Sequence, residues 1–350
     1  MRGKPFPESG ALEEKLPLIL KNLSPRTVYL AAVSGGADSM AMLSALSAVL
    51  NKDTCLSGTL RCIHVNHNLR PPQECGGDAE FVRDFCGKLK ISCHVETIPP
   101  GKIVLWAKQK GTGIEAAARH FRRKALLEEA ARLGDNTRVL TAHTKDDLLE
   151  TALMRVLRGC GPAGLSAIPA EYGIILRPLL SVTRAEVIAY LTEKNIPWRE
   201  DMSNSDQKFL RNKIRKVLVP LLNESFPSWE TGVDAMAQTQ SMAARFIADE
   251  AKNRVLWESR YAAKAPYNTE LFTDEKIFFS QPEIIREEAV FLGINIFSSL
   301  CENKSCSSKT KSIKRSVIRK FCNNSVNAAD LGSARIRRRR GKVVLENISR

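Results

Sequence analysis

Apolar positions in the first 215 residues follow two alternating rhythms. Residues 27–33 (TVYLAAV) form a β-rich apolar run of strand length, and residues 38–50 can place Met42, Leu43, Leu46 and Leu50 on one helical face. The alternation then repeats. TLRCIHV (59–65) predicts a second strand, 74–89 a helix and ISCHVETI (91–98) a third strand. Residues 114–134 predict a long helix rich in Ala, Leu, Arg and Glu, closed by Gly134. TRVLTAH (137–143) predicts a fourth strand, 146–158 a helix, GIILRPLL (173–180) a fifth strand, and 183–195 a helix beginning at Thr183. This order predicts an α/β fold with a mostly parallel sheet and helices on both faces. Such sheets bind ligands beyond the carboxyl ends of their strands, which points to the residues just after 33, 65, 98 and 143. Past residue 222 the pattern changes. Residues 229–260 read as helical, a less regular segment follows, and RIRRRR before GKVVLE signals strand–turn–strand. The expected organisation is a catalytic domain over 1–220 and a helical, basic region over 221–350.

The break after the first strand is Ser34, Gly35, Gly36, with Ala37, Asp38 and Ser39 opening the helix. Strand, glycine turn, helix is the layout of an anion site, because glycine lets the backbone approach and the first helical N–H groups point at the ligand. No Gly-Lys-Ser/Thr follows, so it is not a Walker loop. Asp38 stands where the anion binds, and two readings resolve that: it holds a Mg²⁺ that bridges to phosphate oxygens, or Asp38 and Ser39 are ordinary helix caps.

Three further groups sit at strand ends or nearby. HVNHNLR (64–70) carries His64, Asn66 and His67, which suit packing or hydrogen bonding better than metal ligation. AHTKDDLLET (142–151) carries His143, Asp146, Asp147 and Glu150. The three acids share a helix face, as a pocket for a cation or as a response to the helix dipole. Arg119 and Arg122 face together, as a phosphate clamp or as a plain basic surface. RGCGPAGL (158–165) is a Gly/Pro loop, and residues 198–220 place Asp201, Asn204 and Asp206 before Arg211, Asn212 and Arg215.

Composition sharpens this only at the C-terminus. Of the net charge of +15, residues 301–350 hold 14 basic against three acidic residues, a net +11. That suggests a polyanionic partner, or a solvated tail without a specific role. The nine cysteines form no CxxC pair, so free thiols are expected rather than a zinc or iron–sulfur centre. No apolar run approaches the ~20 residues that span a bilayer, and the first 15 residues hold no signal-peptide core, so a cytoplasmic protein without membrane contact is expected.

SGGADS at 34–39 resembles the signature of the PP-loop ATP pyrophosphatases. In this order, SGGADS, HVNHNLR, Glu115–Arg123, 142–165, RPLL (177–180) and Trp198–Arg215 together resemble the tRNA(Ile)-lysidine synthetase family over roughly residues 25–222. Asn68 stands where that family usually has Gly, Leu148 replaces Gln and Arg123 replaces Tyr. The C-terminal part matches no pattern. The resemblance implies an adenine nucleotide α-hydrolase-like fold and ATP with Mg²⁺ as cofactors. It implies ligation of L-lysine to the wobble cytidine of a tRNA(Ile) with a CAU anticodon, through an adenylated base. It implies nucleotide contacts from Ser34, Gly35, Gly36, Ala37, Asp38, Ser39, His64, Asn66 and His143, with the metal on Asp38. Lysine or tRNA contacts fall to Arg119, Arg122, Asp146, Asp147, Glu150, Arg211 and Arg215, and the catalytic group to Asp38, Asp147 and Glu150. A homodimer stays open. The alternatives are a sulfur-delivering PP-loop tRNA modifier, which normally wants a reactive cysteine pair, and an inactive RNA-binding relative. An amidotransferase of the GMP-synthetase kind lacks its glutaminase domain here.

Overall fold

The computed structural model describes residues 11–20, 26–52, 58–70, 72–200, 210–261, 269–302, 315–332 and 334–348. The chain divides into two compact units, Met1–Ala237 and Gln238–Arg350.

The first unit begins with α1 (Ala11–Leu20), β1 (Val28–Ala32), α2 (Ala37–Lys52), β2 (Thr59–Asn66), α3 (Pro72–Lys88) and β3 (Ser92–Thr97). It continues with α4 (Lys102–Lys110), α5 (Ile114–Leu133), β4 (Thr137–Thr141), α6 (Lys145–Arg158) and α7 (Pro162–Leu165). Then come β5 (Glu171–Tyr172), β6 (Ile175–Leu176), α8 (Arg184–Glu193), α9 (Leu210–Lys213), a π-helical turn (Ile214–Leu218) and α10 (Val219–Ser225). The division between the units falls within α11 (Trp229–Arg254). The sheet order is β3-β2-β1-β4-β6-β5, parallel except for the β5–β6 pair.

Side chains alternate across the pleat, and this puts helices on both faces. Tyr29, Ala31, Cys62 and Leu140 pack with Met40, Leu43, Val82, Val187 and Leu191 from α2, α3 and α8. The intervening Leu30, Ile63 and Val139 pack with Leu126 and Ala130 of α5. The fifth predicted strand is shorter than expected: only Ile175 and Leu176 pair, and Arg177–Leu180 turns away. Pro178 removes the donor that a continuing strand needs. Helix α4 was not anticipated. Its ends are both left-handed glycines, Gly101 and Gly111, and it has no side-chain cap to announce it.

The second unit holds helices, as expected, and beside them a five-stranded antiparallel sheet. Its elements are β7 (Glu258–Tyr261), β8 (Thr269–Asp274), α12 (Glu275–Ser280), α13 (Glu283–Glu302), α14 (Arg315–Cys322), β9 (Ala328–Leu331), β10 (Ala334–Arg339) and β11 (Lys342–Asn347). The sheet order is β7-β8-β11-β10-β9. The strand–turn–strand expected at RIRRRRGKVVLE is the β10–β11 hairpin. Its inward residues Ile336, Val343 and Leu345 meet Phe278, Ala289, Ile294 and Phe321 in one core. Among the described residues, no helix is long and apolar enough to cross a membrane.

Candidate active site

β1 lies between β2 and β4, so the carboxyl ends of these three parallel strands adjoin. The sequence-predicted residues Ser34, Asn66 and His143 follow or end those strands, where an open α/β sheet forms its ligand crevice.

The loop after β1 is held open by its own side chains. Ser39 Oγ donates to Gly36 O at 2.9 Å and accepts the Ser34 N–H at 3.1 Å. Gly35 sits at φ +91°, a conformation that favours glycine. Its carbonyl accepts the Arg199 N–H at 3.0 Å, which fixes the 198–200 segment against the loop. Ser39 is therefore a buried loop brace. This leaves Gly35, Gly36 and Ala37 to present backbone to an anion at the start of α2.

Asp38 lies in the first turn of α2 and forms an ion pair with Arg184. Its carboxyl is nonetheless raised above the usual range. Burial is the largest cause and outweighs the Arg184 charge, and Asp147 and Asp146 push in the same direction. Asp38 Oδ1 is the oxygen that faces Arg184, and it is buried without a hydrogen bond of regular geometry. A buried carboxylate held by a cationic side chain rather than by a set of aligned hydrogen bonds suits a hard cation. The helix-cap reading of Asp38 has no matching hydrogen bond among those described.

The acids after β4 are shared between structure and site. Thr144 and Asp147 form a capping box at the start of α6, with Asp147 Oδ2 accepting the Thr144 N–H at 3.0 Å. Asp146 Oδ2 accepts the Arg184 N–H at 2.7 Å and so ties α6 to α8. The free face of the cluster is filled by two arginines. Arg211 Nη2 donates to Asp147 Oδ1 at 2.6 Å, and Arg211 Nε to Glu150 Oε2 at 2.8 Å. Arg215 Nε donates to Glu150 Oε1 at 2.6 Å. Glu150 is buried at 3% exposure, which it tolerates because both oxygens are charge-paired. The π-helical turn Ile214–Leu218 contains Arg215. It precedes Pro220, whose ring crowds the carbonyl four residues back and loosens the regular helix.

His64, His67 and His143 are neutral side chains near the strand ends. His64 is buried, pairs through Nδ1 with Val33 O at 2.9 Å, and is lowered by burial. His143 pairs with Thr141 Oγ1 at 3.1 Å and is lowered to about 4, mainly by burial. His67 is also lowered to about 4, by burial and by the charge of Arg122, whose Nε reaches His67 Nε2 at 3.4 Å. Arg119 is exposed on α5 and its charge acts on His143. Asn66 Oδ1 accepts the Asn68 N–H at 3.0 Å, and Asn68 takes φ +48°, the turn conformation in which Asn stands in for Gly. Leu148, in place of the family's usual Gln, packs with Leu149, Ala152, Ala167 and Ala237. Arg123, in place of Tyr, lies over the Tyr172 ring at 5.7 Å. Asp201, Asn204 and Asp206 lie outside the described residues.

Two residues were missed in the sequence. Arg184 reaches Asp38, and Arg199 braces the loop while pairing with Asp78, which also binds Arg70. Arg184 did carry a signal. It is the first residue after the Thr183 cap of α8, where a cation opposes the helix dipole and so needs an acidic partner elsewhere.

The arrangement has likenesses among known proteins. The tRNA(Ile)-lysidine synthase of Treponema denticola is 46% identical over 205 residues, 59% of this chain and 44% of the relative. The protein of the same name from Deinococcus radiodurans is 39% identical over 225 residues, covering 62% and 36%. That from Thermosipho africanus is 34% identical over 255 residues, covering 73% and 54%. The chain thus spans about half or less of the length of these relatives. The solved U34-tRNA thiolase NcsA from Methanococcus maripaludis with its [4Fe-4S] cluster shares the fold, at TM-score 0.54 and 16% identity, over 66% of this chain and 78% of that one. A family model for the PP-loop domain matches residues 9–222, well over half of the chain, and the chain belongs to that family.

Proposed function

We propose that this chain joins L-lysine to the wobble cytidine of a tRNA(Ile) with a CAU anticodon, consuming ATP and releasing AMP and pyrophosphate. The observation that carries the reading is the acid–arginine cluster of Asp147, Glu150, Arg211 and Arg215, linked through Asp146 and Arg184 to Asp38 beside the glycine loop. The motif order and the names of the relatives support it.

The 2-oxygen of cytosine is a very poor leaving group, so it has to be activated first. It attacks the α-phosphorus of ATP, the α–β phosphoanhydride breaks and pyrophosphate departs. The lysine amine then attacks ring carbon 2, and AMP leaves with the oxygen. In this reading the 34–39 loop offers backbone N–H groups to the triphosphate. Asp38 would hold Mg²⁺, which supplies charge neutralisation at the phosphate oxygens. The neutral rings of His64 and His143 line the nucleotide side without adding charge. Arg119 and Arg122 take anionic phosphate. Asp147 and Glu150 hold the lysine ammonium or accept a proton from the attacking amine, which must be uncharged to react. Arg211 and Arg215 hold those acids in place until lysine arrives. The basic Gln238–Arg350 unit grips the tRNA backbone.

The deciding experiment incubates the purified chain with ATP, Mg²⁺, labelled lysine and the CAU-anticodon tRNA(Ile), followed by nucleoside mass spectrometry. Lysine-bearing cytidine formed only with ATP is the expected result. AMP and pyrophosphate without label would leave activation standing and refute lysine as nucleophile. Neither product from folded protein would refute the activity.

A further inference from the structure

Spacing along the chain does not group the cysteines, but the fold assembles three of them. In the parallel β2–β3 ladder Cys62 is the direct partner of Cys93, so both side chains leave the sheet on the same face. Helix α3 covers that face and brings Cys86 onto the pair. The three sulfurs lie within 4.8 Å of one another, with Cys62 and Cys93 at 3.7 Å. Three thiolates bound to one ion at about 2.3 Å in a trigonal plane stand about 4.0 Å apart, so this spacing needs little adjustment.

We propose that Cys62, Cys86 and Cys93 form a three-thiolate site for one soft cation, Cu(I) foremost. The donor set selects the ion. Thiolates favour Cu(I), zinc and iron–sulfur clusters over hard ions. A [4Fe–4S] cluster attaches each thiolate to a different iron and spreads the sulfurs, whereas these three lie close enough to share one ion. Zinc strongly prefers a fourth ligand, and among the described residues no His, Asp, Glu or further Cys joins the group. His94 follows Cys93 on the opposite pleat and lies 3.9 Å from Glu129 instead. Cys62 and Cys86 are buried with Val82 and Phe85, so water has little access. Without an ion, hydrogen bonds from Cys62 and Cys86 lower the Cys93 thiol, while the Cys62 and Cys86 thiols are both raised. Binding releases the remaining thiol protons to solvent, with no change in oxidation state.

The test uses the full chain, reduced and oxygen-free, titrated with Cu(I) against the competing chelator bathocuproine disulfonate. One tightly held Cu(I) per chain is expected, with X-ray absorption giving three sulfur neighbours and a higher melting temperature. Cys93→Ser, at the least buried of the three, should lose that ion, while Cys160→Ser, exposed and outside the cluster, should keep it. Retention of the ion by Cys93→Ser overturns the proposal. A wild-type shell of two sulfurs, or of nitrogen and oxygen, overturns it independently of whether any variant folds.

Discussion

Asp38 carries the sharpest prediction at the scale of single residues. Its Oδ1 pairs with Arg184, yet burial outweighs that charge and raises the carboxyl. Removing the charge with Asp38→Asn should therefore disturb the fold little. It should lower modification by about 10²- to 10³-fold, the size of losing one preorganised electrostatic group, with tRNA affinity by filter binding unchanged. Equal loss of both would sink the separation of chemistry from tRNA grip. The neutral histidines give a second prediction. His67 and His143 are held at about 4, against 6.5 for the free ring, so the unfolded chain binds their protons more readily between those values. Their contribution is fully present above pH 6.5 and shrinks as pH falls toward 4, by up to ~1.4 kcal/mol per pH unit for each ring. The melting temperature should drop between pH 7 and 5, and His143→Gln should flatten that drop. At this scale the sequence was most legible where a residue acts through local geometry. Asn68 in a positive-φ turn and the glycine loop were readable. Arg184 and the cysteine trio depend on partners far along the chain, and no local pattern shows them.

Among the elements, α6 and the segment holding Arg211 and Arg215 are coupled through Glu150. Replacing it with Gln leaves two guanidiniums without their shared charge. Breaking a fully buried pair costs about 3–5 kcal/mol. Arg215 is about half exposed and Arg211 about a third, so solvent screens part of the loss. We expect Glu150→Gln to cost on the order of 1–3 kcal/mol in urea unfolding. A double-mutant cycle with Arg211→Gln should return a clear coupling energy, and additivity of the two changes would deny the link. The helices and strands around this site were legible because each has one buried face and a strong period: α2, α5, α6 and α8 lie within a few residues of their expected ends. The antiparallel sheet of the second unit was not, apart from its last hairpin. β7, β8 and β9 are four to six residues long, and β8 pairs with residues up to 76 positions away, so local alternation hardly marks them.

For the molecule as a whole, the excess charge in the C-terminal sequence overstates what is free to meet a polyanion. The Gln238–Arg350 unit holds 21 basic against 12 acidic residues, a net +9. Five of its acids hold arginines of this region. Arg335 pairs with Asp330, Arg337 with Glu346, Arg338 with Glu275 and Arg339 with Glu270, while Arg315 and Arg319 share the buried Glu287. Burial alone would raise Glu287, but hydrogen bonds from Arg319 and Arg315 outweigh it and hold the carboxyl low. The RIRRRR run thus laces β10 to β9, β11, β8 and α12, and cross-strand pairs of this kind stabilise a sheet. Two classes of basic residue should separate in one experiment. Arg337→Ala and Arg339→Ala, made in the full chain, should lower the melting temperature and leave the salt dependence of tRNA binding nearly unchanged. Lys320→Ala and Arg340→Ala, at exposed positions, should leave stability unchanged. If they touch phosphate, each should reduce the slope of log affinity against log salt by about 0.7–0.9. The opposite assignment, with the laced arginines controlling the slope, would mean that tRNA opens those pairs on binding, and the unit would then rearrange rather than dock as it stands.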